Sequence, residues 1–156
     1  MHLDTYFNVI DRDLCTMVES RLYAEPGSPE FVTCDVYERE AKGSEKEVKG
    51  KGNGKEVKGN YVLKERDLSF VDFIRKQGYE IIPINHEDEM HYANNFLTIE
   101  PRHIMAVGRQ SMAYYKAMAD AGVMVEWIPL ESLINGYGAA HCMTQVLRRV
   151  SSESRS

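Results

Sequence analysis

FNVIDRDLCTMV at residues 7–18 and FLTIEPRHIMAV at residues 96–107 are the same pattern written twice. An offset of 89 residues pairs Phe7 with Phe96, Ile10 with Ile99 and Val18 with Val107. Each copy holds short apolar, β-branched runs on either side of a polar turn, Asp11-Arg12 in the first and Pro101-Arg102 in the second. That pattern predicts two strands joined by a turn, repeated along the chain.

Working outward, each copy leads to a stretch with apolar residues at helical spacing, LSFVDFIRKQ from Leu68 and SMAYYKAMAD from Ser111. Met112, Tyr115 and Met118 are the side chains expected to face the core from the second stretch. A glycine then stands where a helix would end in a left-handed cap, and a strand follows: GYEIIPI from Gly78 and GVMVEWIPL from Gly122. The unit is β-β-α-β, present twice, followed by the turn-rich NGYGAA and a final strand, HCMTQVLRRV. Such units bury their apolar edges against neighbouring units, so two and a fragment read as an incomplete α/β array. The start, MHLDTYFNVI, has no polar lead-in before a strand-like run that includes HLDT, and it reads as a cut end.

A chain of 156 residues, 43% hydrophobic, is enough for one domain with a real core. Its net charge of −5 argues against nucleic acid or an anionic membrane surface as partner, and leaves a small cationic ligand open. Cys15, Cys34 and Cys142 form no CxxC pair, which fits a reducing cytoplasm rather than a disulfide scaffold or a zinc ribbon. No apolar stretch approaches the ~20 residues that cross a bilayer. From Ala41 to Asn60 the composition changes: six Lys, three Glu and a repeated KEVKG, with almost no large apolar side chain. This segment is expected to be a disordered inserted loop, because it buries too little to offset its ordering entropy. Its glycine spacing, with Glu56 after Lys55, does not make a P-loop. HEDEMH, residues 86–91, reads as a charged loop, since its histidines are five apart and not at the spacing that brings two ligands to one helix face.

HLDT near the start, ANNFLTIEP in the middle and GYGAAHCMTQ near the end, in that order, resemble the carboxy-terminal part of the arginine deiminases and of the wider guanidine-modifying, amidinotransferase-like superfamily. The resemblance spans nearly the whole chain apart from the Lys/Gly-rich insert. It implies a five-bladed α/β propeller of ββαβ units, of which this chain would supply two units and a last strand. Residues 1–156 would then be the carboxy-terminal part of one catalytic domain. The open edges of such a part predict poor solubility, self-association or a molten state when it is expressed alone, and a homo-oligomer stays open.

The residues support a chemistry that the resemblance names. On a strand, side chains two apart share a face, so His2 and Asp4 would point into one site. A neutral His suits general acid-base work, and a carboxylate suits a guanidinium through paired charge-assisted hydrogen bonds. Cys142 follows a glycine-rich turn able to present a thiol closely to a ligand. The resemblance implies Cys142 as nucleophile, His2 as general acid/base, Asp4 as guanidinium ligand and Gly136 as a backbone contact, with no metal or organic cofactor. It implies conversion of arginine to citrulline and ammonia through a thiouronium on Cys142. His141, before the nucleophile, resembles agmatine deiminases and amidinotransferases equally, so agmatine or another guanidino compound stays open as substrate. Family members also use upstream acidic residues on the guanidinium and arginines on the substrate carboxylate, and none is assignable here. A truncated, non-catalytic relative acting as a binding module is the alternative reading.

Overall fold

The computed structural model describes residues 3–39, 60–130, 132, 134–145 and 147. β1 (Phe7–Val9) pairs antiparallel with β2 (Leu14–Val18), Phe7 opposite Met17 and Val9 opposite Cys15. Every residue of β2 is buried, as its run LCTMV requires, and its one hydroxyl, on Thr16, donates to the Asn8 carbonyl at 3.4 Å. A short α1 (Glu19–Leu22) leads to a hairpin of β3 (Thr33–Arg39) and β4 (Tyr61–Ser69), antiparallel with an irregular register around Val36. Ser69 ends β4 and caps α2 (Phe70–Lys76), its hydroxyl accepting from Asp72 N–H at 3.3 Å. β5 (Glu80–Ile84) then runs parallel to β2, completing a sheet in the order β1-β2-β5.

After α3 (His86–Met90), the second unit repeats this plan with β6 (Leu97–Glu100), β7 (His103–Val107), α4 (Met112–Asp120) and β8 (Met124–Ile128). β6 and β7 are antiparallel, β7 and β8 parallel, in the order β6-β7-β8. The repetition reaches single hydrogen bonds. Asp13 and Arg102, related by the offset of 89, each accept from the first residue of the parallel strand, Glu80 N–H at 2.7 Å and Met124 N–H at 2.8 Å. Both helices end in the same two bonds: Gly78 to Arg75 and Tyr79 to Ile74, Gly122 to Ala119 and Val123 to Met118. Gly78 and Gly122 sit at φ 88° and 68°, the left-handed position that glycine adopts without a Cβ penalty.

The two units share a core. Ile10, Leu14, Val18, Ile82 and Ile84 of the first pack with Phe96, Ile104, Tyr114, Met118 and Val123 of the second. Phe96 is fully buried, a contribution of about 1.5–3 kcal/mol for a side chain of this size. Asn8 ties the units by donating to the carbonyls of Asn94 and Phe96, each at 2.8 Å. The described residues thus form a mixed α/β arrangement of three small sheets, none closed on itself, and four helices.

Several expectations change. HEDEMH is not a loop: Asn85 caps it, accepting from Asp88 N–H at 2.9 Å, and its acidic first turn suits a helix N-terminus. Met112 is 80% exposed, because it opens α4 ahead of the inward stripe; Tyr114 and Met118, four apart, carry that stripe, and Tyr115 packs against Trp127. The strand expected of HLDT is not found at its described residues: Leu3–Thr5 is a 3-10 turn closed by Tyr6 N–H on the Leu3 carbonyl at 3.1 Å. The expected final strand from His141 is a turn over 141–143 and irregular at 144, 145 and 147. Of the Ala41 to Asn60 segment only Asn60 lies within the described residues. Among the described residues no helix is long and apolar enough to cross a membrane.

Candidate active site

Three distant parts of the chain converge: the turn of Leu3–Thr5, the Asn94-Asn95 pair ahead of β6, and the turn from Gly138 to Met143. The last turn is held by Met143 N–H on the Ala139 carbonyl at 3.1 Å and Thr144 N–H on the His141 carbonyl at 3.2 Å. Ala139 and Ala140 are fully buried, so the turn is anchored on its inner side while Cys142 is exposed on the outer side. A Cβ on Gly138 would lie 3.0 Å from Cys142 Cβ, so glycine there lets the chain pass close to the thiol.

Asp4 and Cys142 meet directly. Cys142 Sγ donates to Asp4 Oδ2 at 3.3 Å, and the same oxygen lies 2.8 Å from His141 Nδ1. Asn95 stands between them and is 1% exposed. Its Nδ2 donates to Asp4 Oδ2 at 2.8 Å and to Cys142 Sγ at 3.0 Å, while its Oδ1 accepts from Ala139 N–H at 3.0 Å and Cys142 N–H at 3.1 Å.

The electrostatics follow from these contacts. Although Cys142 is exposed as a residue, partial desolvation of its thiol pushes it above its ordinary value, reinforced by the hydrogen bond and charge of Asp4 and opposed by Asn95 and the backbone at Ala139. Burial alone would raise Asp4; hydrogen bonds from Cys142, His141 and Asn95, with the charge of His141, outweigh it and hold the carboxyl below its usual value. The resting pair is therefore a thiol beside a carboxylate. A cation at Asp4 would offset the charge that holds the proton on sulfur, which is how a guanidinium could activate this cysteine. The other thiols are unlike it: Cys15 is fully buried in β2 and pushed up to about 12 by that burial, and Cys34 lies on the hairpin strand β3. All three cysteines are free.

A sequence model described as arginine deiminase matches residues 1–149. The chain belongs to the arginine deiminase family. Among curated proteins it is similar to an arginine deiminase of Halobacterium salinarum (strain ATCC 29341 / DSM 671 / R1), 31% identical over 176 residues. That match takes in 96% of this chain and 30% of the relative, so the chain spans under a third of the arginine deiminase it resembles.

Of the residues singled out in the sequence, Asp4 and Cys142 are brought together, although Asp4 arrives on a turn and not on a strand. His2 lies outside the described residues. Gly136 closes the 3-10 turn Ile134–Gly136, with open space where a Cβ would be; Gly138 is the glycine packed against Cys142. Sequence reasoning missed Asn95 and noticed His141 only as a neighbour of the cysteine. A signal for Asn95 existed in the quoted ANNFLTIEP, where two amides stand directly before a strand, positions poor for strand propensity. Among the described residues no three His, Cys, Asp or Glu side chains are grouped to hold a metal.

Proposed function

We propose that this chain carries the nucleophile side of an arginine deiminase-type guanidine hydrolase site, with Cys142 as nucleophile, Asp4 as guanidinium ligand, His2 as general acid/base and Gly136 as a backbone contact. The observation that carries the reading is the 3.3 Å approach of Cys142 Sγ to Asp4 Oδ2 from 138 positions away, inside a family that acts on arginine. Arginine is the proposed substrate. Agmatine shares its guanidinium and is the alternative.

In this mechanism the guanidinium takes up the Asp4 carboxylate, the thiol proton of Cys142 passes to His2, and the thiolate so formed bonds to the guanidinium carbon. The carbon–nitrogen bond breaks, and ammonia leaves with a proton from His2. Water then gives a proton to His2 and adds to the thiouronium; the carbon–sulfur bond breaks, the second water proton is lost as the carbonyl forms, and the sulfur returns as thiolate with the ureido product.

The two ββαβ units are proposed as two of the five that make up the family's propeller, residues 1–156 forming the carboxy-terminal part of that domain. Ureido-product formation tests the reading in a chain completed with the part of the Halobacterium salinarum relative outside the match. Product forms from arginine when Cys142 is present and is abolished in Cys142→Ser, because a neutral hydroxyl is a far weaker nucleophile than a thiolate. The 156-residue chain alone releases no citrulline. Product that persists in Cys142→Ser overturns the covalent route.

A further inference from the structure

Asn95 makes more contacts to the site than any role in the scheme above accounts for. Its backbone carbonyl accepts from His141 N–H at 2.9 Å, its Oδ1 accepts from two further N–H groups of the same turn, and its Nδ2 donates to both Asp4 and Cys142. An amide oxygen is the only end of this side chain able to accept, so the N–H groups of Ala139 and Cys142 fix which way it faces. The NH2 is thereby forced toward Asp4 Oδ2 and Cys142 Sγ. No rotation of the amide restores all four contacts, and complete burial leaves water unable to replace them.

We infer that Asn95 is the positioning residue of the nucleophile: one buried amide sets the turn that presents Cys142 and supplies the N–H that stays on sulfur after the thiol proton has gone. The inference rests on the proposed function and deepens it. In the resting site Asp4 Oδ2 accepts the proton of the sulfur, and Asn95 Nδ2 is the side-chain donor aimed at it, alongside the backbone at Ala139. When a guanidinium claims Asp4, the first contact is lost and the second is retained. A thiolate accepts hydrogen bonds and gives none, so a fixed N–H at 3.0 Å favours the charged form of the sulfur. Aspartate is nearly the same shape and could still accept from Ala139 and Cys142, but it would bring a second negative charge to the sulfur in place of the donor.

Alkylation of Cys142 in the full chain by iodoacetamide, read by peptide mass spectrometry across pH, tests this without any substrate, so it succeeds or fails independently of turnover. In a folded Asn95→Asp chain the pH midpoint of alkylation rises by about one unit or more, which is about tenfold slower reaction at neutral pH. The rate at the alkaline plateau is retained. A purely structural role would lower the melting temperature and leave the midpoint where it was. Wild-type chain supplies a second readout should Asn95→Asp not fold: the side-chain amide protons of Asn95, followed by nitrogen-15 NMR, titrate with the Cys142 midpoint, and that titration vanishes in Cys142→Ala. An unchanged midpoint in folded Asn95→Asp, or an Asn95 amide that ignores the ionisation of Cys142, overturns the inference.

Discussion

Asp4 Oδ2 accepts a hydrogen bond from Cys142 Sγ at 3.3 Å, so a carboxylate from the first turn of the chain holds the proton of a thiol 138 positions later. The contact has opposite consequences for charged and neutral reagents. Asp4→Asn removes a charged acceptor of the kind worth roughly 1.5–3 kcal/mol, and capture of a guanidinium weakens accordingly. The same change takes a negative charge from beside the sulfur, so the pH midpoint for alkylation of Cys142 by neutral iodoacetamide falls. Binding of arginine by calorimetry and alkylation by mass spectrometry check the two halves. Loss of both together would mean that the substitution had disrupted the turn.

Gly138 predicts a steric effect beside the same thiol. The methyl of Gly138→Ala would stand 3.0 Å from Cys142 Cβ, closer than ordinary van der Waals contact, so the Cys142 turn must give by a few tenths of an ångström. The expected cost is about 1–3 kcal/mol, the range for an added methylene in a packed site. Alkylation of Cys142 slows while that of Cys34 is unchanged. Gly136→Ala, where the added atom meets open space, leaves folding and alkylation near wild type.

The repeated helix ends predict equal effects at two sites. Gly78 and Gly122 both sit at positive φ, with nothing within 4 Å of an added Cβ, so alanine is penalised by backbone conformation alone. Gly78→Ala and Gly122→Ala each lose about 1–2 kcal/mol in urea unfolding. A large difference between them would show that the two caps are not equivalent.

Much of this architecture was legible in the sequence because both units encode it locally. The offset of 89, the strand pairs at Phe7 and Phe96, Ser111 ahead of α4 and glycine after each helix are short-range signals, and the described structure follows them. The β3–β4 hairpin was not read, since its strands lie on either side of the Lys/Gly-rich segment and half-exposed runs such as TCDVYER bury little to mark them. The site was legible in part. Asp4 and Cys142 were singled out, but the strand geometry expected at Asp4 failed because Tyr6 N–H closes a turn on Leu3, a choice that depends on one hydrogen bond and not on periodicity. Asn95 could not be told from Asn94 by residue type. Both are buried, and only the fold decides which amide meets Cys142.

Cys15 predicts a stability limit at alkaline pH. Its thiol is buried in β2 and pushed up to about 12, from an ordinary value of 9.0, so the folded chain keeps a proton that the unfolded chain releases. The contribution is therefore fully present below the ordinary thiol value and is lost as pH rises toward about 12. Urea unfolding of wild type and Cys15→Ala between neutral and alkaline pH isolates it: the gap between them narrows as pH rises. A gap that widens would reverse the sign and contradict burial as the cause.

The proposed guanidinium site beside Cys142 is probed without turnover by affinity labelling. An amidine-bearing haloelectrophile and a neutral amide of the same size are offered separately to the chain at neutral pH, and the labelled cysteine is identified by peptide mass spectrometry. The amidine is expected to react at Cys142 faster than the amide, and faster than at Cys15 or Cys34. Free arginine should slow this labelling, and Asp4→Asn should remove the preference for the cationic reagent. Equal rates for the two reagents at Cys142, unaffected by arginine and by Asp4→Asn, would contradict the proposed site.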